Sequence, residues 1–252
     1  MTRGMKFAAG SVIAFIMVTM SFPIIAGPPY LTDDPEPVEY HHQEAYIGAQ
    51  ITNTRDGSEG ALPQAEFNYG AIPNVQLHVM VPIAFAHVAQ GSSHAGLGDI
   101  ELGAKYRFIQ ETDRYPMAAI FPAIIIATGN ARQGLGNGAT QLYLPLWVQK
   151  NWSEWQSNAG GGYWINRSPG SVNHWFCGWQ LQKRISQRLS VGGEVFHSTE
   201  QASGEGASGG FNVGLSINLD EHNHVLLSVG RGLTNADATN RFSSYASFQR
   251  TW

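Results

Sequence analysis

Apolar and polar side chains alternate along this chain in segments of about ten residues, from Glu39 to the last residue, Trp252. The clearest segment covers residues 75–85, where Val75 and Leu77 fall on one strand face and Gln76 and His78 on the other. Because successive side chains of a β-strand point to opposite faces, such a strand can meet lipid on one side and water on the other. The pattern is typical of a membrane-spanning β-barrel.

Counting these segments predicts the fold class. They number about twelve, and single-chain outer-membrane barrels have an even number of strands. The segments cover residues 43–52, 62–71, 75–87, 98–109, 116–128, 139–149, 153–165, 173–185, 189–198, 209–219, 224–233 and 241–252. We therefore predict an all-β protein, a transmembrane antiparallel up-and-down β-barrel.

The connections between these segments alternate in length and composition. Short ones are expected at 72–74, 110–115, 150–152, 186–188 and 220–223. Longer, glycine- and serine-rich ones are expected at 53–61, 88–97, 129–138, 166–172, 199–208 and 234–240. Since such barrels have short periplasmic turns and longer extracellular loops, both chain ends are predicted to lie in the periplasm.

The N-terminal residues of the chain predict its cellular localisation. Arg3 and Lys6 precede an apolar run over residues 7–20, and this predicts a secretory signal peptide over residues 1–26 rather than a membrane anchor. Residues 27–40 form a proline-rich, acidic segment that we expect to be a periplasmic tether, with a plug inside the barrel as the alternative. The barrel is assigned residues 41–252, in the bacterial outer membrane.

The last residue, Trp252, is aromatic, and Phe248 lies on the same strand face. This arrangement looks like the signal by which the barrel assembly machinery recognises its clients, so that machinery and outer-membrane lipids are predicted partners. Other aromatic residues predict two membrane-interface girdles. They are Trp147, Trp152 and Trp155 near the turn 150–152, and Tyr163, Trp164 and Trp175 near a longer loop.

Composition agrees with a barrel and excludes one class of partner. Only 13% of residues are charged, below the ~25% usual for soluble domains, although the mean hydropathy is negative. Removing Arg3 and Lys6 with the signal peptide leaves 13 basic residues against 19 acidic ones. Nucleic acid is therefore not an expected partner. Cys177 is the single cysteine, so no internal disulfide can form.

Charged residues on the polar strand faces are the candidates for the lumen wall. The fourth segment offers both signs on one face, and other segments add to it. The predicted lumen-lining residues are Glu44, Glu66, His78, Asp99, Glu101, Lys105, Arg107 and Glu194. Two interpretations stay open, a wet channel with a mixed-charge constriction and a hydrogen-bonded network that fills a small barrel.

The fifth segment departs from the alternation, because both of its faces are apolar from Ile120 to Ala127. Pro82, Pro122 and Pro145 also interrupt the third, fifth and sixth segments, where each removes a backbone donor from the ladder. One hypothesis is a bent or unpaired sector that gives an apolar solute a sideways route into the membrane. The alternative is bulges that only add curvature.

Some residues suggest other chemistry. His197, Ser198 and Thr199 lie where a lipid hydrolase could carry its base and nucleophile, but neighbouring strand residues point to opposite faces. Histidine and acidic residues at 33–42 and 220–224 suggest metal ligation but lie in polar turns or linkers. We assign no catalytic residue, no metal and no cofactor.

Three stretches resemble a known family. They are GPPYLTDDPEP at 27–37, GLGDIELGAKYRF at 96–108, and TG at 128–129 followed by GLGNG at 134–138. They are similar to the outer-membrane family named after the meta-pathway of phenol degradation. The resemblance implies a small barrel that passes hydrophobic or aromatic compounds, and it implies no catalytic residues. The predicted function is passive passage of small solutes. The alternatives are a lipid hydrolase and a closed barrel with a structural or surface role.

Overall fold

The computed structural model describes residues 29–89 and 91–252, so the predicted signal peptide at 1–26 lies outside the described residues. Within them, fourteen β-segments pair antiparallel into one sheet. They are β1 Gln43–Asn53, β2 Gly57–Ile72, β3 Val75–Val88, β4 Ser93–Leu97, β5 Ile100–Ile109, β6 Met117–Ile120, β7 Ala123–Ile126, β8 Gln141–Trp152, β9 Trp155–Ile165, β10 His174–Arg184, β11 Leu189–Ser198, β12 Ser208–Asn218, β13 Asn223–Thr234 and β14 Phe242–Thr251.

The helical content of the described residues is small. It consists of a 3-10 turn over Ala131–Gln133 and a short helix, α1, over Ala236–Thr239. Neither is long and apolar enough to cross a membrane.

The sheet closes on itself through its first and last strands. β1 pairs with β14 over ten residue pairs, from Glu44 with Thr251 to Asn53 with Phe242. Two backbone hydrogen bonds between Gln43 and Trp252, of 2.8 and 3.0 Å, seal the end of this seam. A closed sheet has no unpaired edge, and this is what allows strands to cross a bilayer.

Two strands of the wall are each made of two segments. β4 and β5 both pair with β3, and β6 and β7 both pair with β5 and β8. Counted this way, the described residues form a barrel of twelve strands, each paired with its neighbours in the chain. The predicted fold class and strand number are therefore confirmed.

Side chains on most strands alternate between the lipid face and the lumen as predicted. The short segment β6 is an exception, because Met117, Ala118 and Ala119 are all buried. On β13, Leu227 and Val229 are 37% and 46% exposed, while His224 and Ser228 are 5% and 7% exposed. The lipid face consists mainly of Leu, Ile, Val, Phe and Trp, and glutamine, asparagine and serine dominate the buried polar set. This inverted arrangement, with polar residues inside, is the one a bilayer requires of a barrel.

Some predicted loops contain strand instead. β2 begins at Gly57, so the connection expected at 53–61 shrinks to 54–56 and is closed by a hydrogen bond from Thr54 N–H to the Gly57 carbonyl. The loop expected at 88–97 contains β4, whose Leu97 pairs with Ile83 of β3. Small and polar residues in these two stretches are typical of loops, so their sequence predicts a loop. They form strands because their backbones pair with the neighbouring strands.

The three strand prolines lie at interruptions of the ladder in neighbouring strands. The gap between β4 and β5 lies opposite Pro82, and the gap between β6 and β7 contains Pro122 and lies opposite Pro145. Single backbone hydrogen bonds span these gaps, from Gly98 to Pro82 at 2.9 Å, from Ala104 to Pro122 at 3.1 Å and from Phe121 to Pro145 at 3.3 Å. The ladder of this sector is thus interrupted but still bridged, and the sideways route stays a prediction.

The aromatic girdles differ in part from expectation. Trp152 and Trp155 are 52% and 42% exposed beside a short turn, and Trp175 is 59% exposed at the opposite end of the barrel. Trp147 is 1% exposed and Trp164 stacks on His174, so both of these expected girdle residues point into the lumen. They share the inward faces of β8 and β9 with Gln149 and Asn158, and strand register therefore outweighs their usual preference for the membrane interface.

The lipid face gives a direct test of this orientation. Val213 lies in the middle of β12 and is 50% exposed, so Val213→Arg is expected to destabilise the barrel by about 2–4 kcal/mol. Leu219→Arg, in the turn after β12, is the matched control and should cost only about 0–1 kcal/mol. Chemical unfolding in phospholipid vesicles measures both, and equal losses would contradict the assigned lipid face.

Candidate channel lumen

The N-terminal segment of the described chain lies inside the barrel. Thr32 and Asp34 are 0% and 4% exposed, and residues 29–38, here called the lumen segment, contact wall strands on several sides. The expectation of a periplasmic tether over residues 27–40 is therefore wrong for this part, and the alternative, a plug, describes it. Residues 27 and 28 lie outside the described residues.

Glu194 of β11 is the first anchor of the lumen segment. Its carboxylate accepts hydrogen bonds from the Leu31 N–H at 2.8 Å, the Thr32 N–H at 2.8 Å and the Thr32 hydroxyl at 2.7 Å. Asn212 of β12 donates a fourth, at 2.6 Å. A side chain at Gly178 would overlap Thr32, so this glycine is what lets the segment approach the wall. Hydrogen bonds to an ionised acceptor are about twice as strong as neutral ones.

Lys105 of β5 is the second anchor. Its ammonium nitrogen lies 3.3 Å from an oxygen of Asp33 and 3.4 Å from one of Asp34. The same nitrogen lies 5.1 Å from the centre of the Phe121 ring. Lys105 is 4% exposed, so these contacts balance a cation that is nearly out of water.

The prolines of the lumen segment reduce the number of buried N–H groups that need a hydrogen-bond partner. Pro29, Pro35 and Pro37 have no N–H, so fewer donors need partners inside the barrel. Of the donors that remain, the Val38 N–H donates to Gln76 of the wall at 2.9 Å, and the N–H groups of Asp34 and Glu36 donate to side chains within the segment. In the other direction, the Ser228 hydroxyl of the wall donates to the Pro29 carbonyl at 2.6 Å. The composition that suggested a linker is equally suited to a polar lumen.

A cavity of about 1110 Å³ remains beside the lumen segment. Its lining reaches from the periplasmic turns, at Asp220 and His222, to Tyr143 and Trp164 near the extracellular ends of β8 and β9. The lumen is therefore narrowed by the segment but not filled. At the periplasmic mouth, hydrogen bonds from the Asn223 side chain and the His222 amide lower the pKa of Asp220.

Acidic residues line the cavity where β1, β2, β3 and β5 meet. His78 lies between two carboxylates, with Nδ1 3.5 Å from Glu66 and Nε2 3.4 Å from Glu101. Glu66 also accepts a hydrogen bond from Asn68 at 2.8 Å, and Glu44 accepts one from the Tyr46 hydroxyl at 3.0 Å. We call Glu44, Glu66 and Glu101 the acidic cluster.

Aromatic rings line the cavity at its other end. The rings of Tyr143 and Trp164 stack with centroids 4.3 Å apart and planes 14° apart, and His174 stacks on Trp164 at 5.8 Å. Phe121 lies edge-on to His78 at 5.3 Å, next to the acidic cluster. We call Phe121, Tyr143 and Trp164 the aromatic panel. None of its three residues is among those that the sequence predicts for the lumen wall, although strand parity places Tyr143 on the same face as Gln141 and Gln149.

Strand register joins the two ends of the cavity. Residues directly opposite each other on successive strands form one row: Glu44, Asn68, His78, Gly103, Ala123, Tyr143, Trp164 and His174. Because barrel strands tilt by about 35–45°, a row across the strands climbs along the barrel axis. The row therefore starts acidic at the periplasmic end of β1 and ends aromatic at the extracellular end of β10.

Asp99, which the sequence predicts to line the lumen, binds an extracellular loop. It lies in the gap between β4 and β5, and its carboxylate accepts hydrogen bonds from the Gly129 N–H at 2.9 Å, the Asn137 N–H at 2.6 Å and the Asn137 side chain at 3.0 Å. These bonds hold the loop 127–140 against β3 and β4, where Leu135 is 4% exposed. Asp99 thus fixes an extracellular loop and is not part of the cavity lining.

The other residues predicted to line the lumen have three different positions. Glu44, Glu66, His78, Glu101 and Lys105 lie on the cavity, and Glu194 holds the lumen segment. Arg107 is bound to the side chain of Asn74 at the periplasmic turn, at 3.1 and 2.8 Å, and does not line the cavity.

The geometry does not assemble the hydrolase alternative. His197 is exposed on the lipid face, whereas Ser198 is 3% exposed and donates to the Trp175 carbonyl at 3.3 Å. Thr199 accepts a hydrogen bond from the Trp175 N–H at 2.9 Å. In the described residues, no group of three or more His, Cys, Asp or Glu side chains is arranged to hold a metal ion.

Comparisons with known proteins agree with the fold. The model of the family described as "Putative MetA-pathway of phenol degradation" matches residues 42–251. The crystal structure of the COG4313 outer membrane channel from Pseudomonas putida F1 is similar, with a TM-score of 0.69 and 12% identity, over 87% of this chain and 98% of that one. Among curated proteins, none matches.

Two porin structures are also similar. The NanC porin gives a TM-score of 0.58 at 5% identity, over 82% of this chain and 98% of its own. The KdgM porin, solved in complex with disordered oligogalacturonate, gives 0.56 at 11% identity, over 84% and 99%. At these identities the likeness establishes a fold shared with outer-membrane barrels.

The anchor at Glu194 predicts how the lumen segment can be released. Glu194→Ala removes four hydrogen bonds to a charged acceptor, each worth about 1.5–3 kcal/mol, so the segment should leave its place and single-channel conductance should rise. Ser190→Ala, on the same face of β11, is the control. Planar-bilayer recording distinguishes them, and equal conductance in both variants would argue against the anchor.

The contacts of Asp99 predict a second effect, on the extracellular side. Asp99→Ala should free the loop 127–140, so that trypsin added outside cells cleaves after Arg132 about tenfold faster, a change that corresponds to about 1.4 kcal/mol. Asp56→Ala, which removes an exposed carboxylate from the connection 54–56, should leave the cleavage rate unchanged. Unaltered cleavage of the Asp99 variant would show that the loop is held by other contacts.

Proposed function

This chain belongs to the family described as "Putative MetA-pathway of phenol degradation", and on that premise we propose that it is an outer-membrane channel for the passive passage of small solutes, aromatic ones in particular. The observation that carries the proposal is the cavity of about 1110 Å³, which reaches from the periplasmic turns to the aromatic panel.

The aromatic panel supports the preference for flat, apolar rings. Tyr143 and Trp164 line the cavity and stack on each other, so their faces and edges offer further rings an offset or edge-on contact. Such a contact is worth about 0.5–1.5 kcal/mol beyond the area it buries. This is weak enough to let a solute leave again, and a conducting pathway needs sites that bind and release.

The acidic cluster and the lumen segment complete the proposed pathway. Glu44, Glu66, His78 and Glu101 form its polar wall, and Lys105 and Glu194 hold the segment that narrows it. Passage by this route needs no covalent step, and we propose no catalytic role for the chain. The opposite orientations of His197 and Ser198 support this choice over lipid hydrolysis.

We also propose that the sector of Pro82, Pro122 and Pro145 lets apolar solutes leave sideways into the membrane. Its support is the interrupted ladder, together with the position of Phe121 and Ala123 on the cavity just inside it. We propose separately that the barrel assembly machinery recognises the chain through Trp252. The Trp252 ring lies beside the closing seam, 6.3 Å from the ring of Phe67.

The aromatic panel gives the test of this function. In planar bilayers, phenol should interrupt the ion current of the native protein, and Trp164→Ala should weaken this block two- to tenfold, about 0.5–1.5 kcal/mol. Trp152→Ala, which removes a tryptophan from the lipid side, is the matched control and should behave as the native protein. Absence of channels, or equal block in both variants, would reject the proposal.

A further inference from the structure

The charge of the cavity wall restricts which aromatic solutes can pass. Resting on the proposed function, we infer that the lumen takes aromatic solutes that carry a positive charge, and that it rejects aromatic anions. The juxtaposition of the acidic cluster and the aromatic panel along one cavity carries this inference.

Most of the charged residues in the lining are acidic. Among the described residues that line the cavity, nine are Asp or Glu and three are Lys or Arg. The basic ones are Lys105, Arg188 and Arg250. A wall with threefold more acidic than basic residues attracts cations, and its effect grows in a narrow space bounded by apolar walls that focus the field.

The distribution of the basic residues strengthens this asymmetry. Lys105, the one that lies deep in the barrel, is already balanced by Asp33 and Asp34 of the lumen segment at 3.3 and 3.4 Å. Arg188 and Arg250 lie at the periplasmic mouth, in or beside the short turns. Between the periplasmic mouth and the aromatic panel, the cavity therefore faces Glu44, Glu66 and Glu101, with His78 between the last two.

The same part of the lumen already holds a cation against a ring. The Lys105 ammonium lies 5.1 Å from the centre of Phe121, within the range in which the ring face attracts a positive charge. Phe121 in turn touches His78 of the acidic side, so aromatic and acidic groups are neighbours here. A solute with a flat ring and a cationic end can therefore contact both groups at once.

Strand register orders these contacts along the pathway. The row from Glu44 through His78 to Tyr143 and Trp164 climbs from the periplasmic end toward the outside. A ring that enters from outside meets Trp164 and Tyr143 first, and its charge then meets Glu101 and Glu66. An aromatic anion gains the ring contacts but must next pass carboxylates of its own sign, which disfavours it.

Three permanently charged probes separate the parts of this inference. Benzyltrimethylammonium carries ring and positive charge, tetramethylammonium the charge alone, and benzenesulfonate the ring with a negative charge. Reversal potentials of the native protein in planar bilayers give their relative permeabilities. We expect benzyltrimethylammonium to exceed benzenesulfonate by about tenfold or more, since field focusing raises counter-ion concentrations 10- to 1,000-fold.

Variants locate the effect in the acidic cluster. Glu66→Gln with Glu101→Gln should reduce the preference for the cation, because both carboxylates are neutralised while the side chains keep their size. Glu44→Gln gives a second route to the same result if the double variant fails to fold. Asp113→Asn removes an exposed carboxylate from the turn between β5 and β6 and is the control.

The outcomes distinguish this inference from the proposed function. Benzenesulfonate passing as readily as benzyltrimethylammonium, while phenol still blocks the current, would overturn the charge selection and leave the aromatic channel standing. Tetramethylammonium passing more readily than benzyltrimethylammonium would overturn the part played by the ring. No current with any probe would remove the proposed function itself.

Discussion

The structure depends on one constraint, that a chain inside a bilayer must pair every backbone N–H and carbonyl with another part of itself. Closing β14 onto β1 meets this constraint without an exposed edge. Once the sheet is closed, the two-residue period of a strand divides all side chains between lipid and lumen. The inverted distribution, with Leu227 outside and Gln180 fully buried inside, follows from this division.

A polar interior creates a second requirement, because buried polar groups need partners. Much of the charge in this lumen meets that requirement by holding other parts of the chain. Glu194 and Lys105 bind the lumen segment, and Asp99 binds an extracellular loop. The described part of the barrel thus combines a hydrogen-bonded network around the lumen segment with a cavity beside it.

The lining of the cavity beside the lumen segment changes from acidic to aromatic along the barrel axis, and this change comes from strand tilt. No single strand carries it, since Glu44 lies on β1 and Trp164 on β9. Neighbouring strands are offset along the axis, and so residues paired in register rise from one mouth toward the other. The acidic cluster and the aromatic panel become parts of one path through this geometry.

The sequence by itself determined the fold class, the number of wall strands and the face on which most side chains lie, because alternation is local and needs no knowledge of distant residues. It places Glu66 and Glu101 on inward faces, but it predicts Trp164 for a membrane-interface girdle and does not single out Tyr143. Only the tertiary structure decided that Thr32 lies inside the barrel. Its bond to Glu194 joins residues 162 positions apart, and no local pattern encodes such a contact.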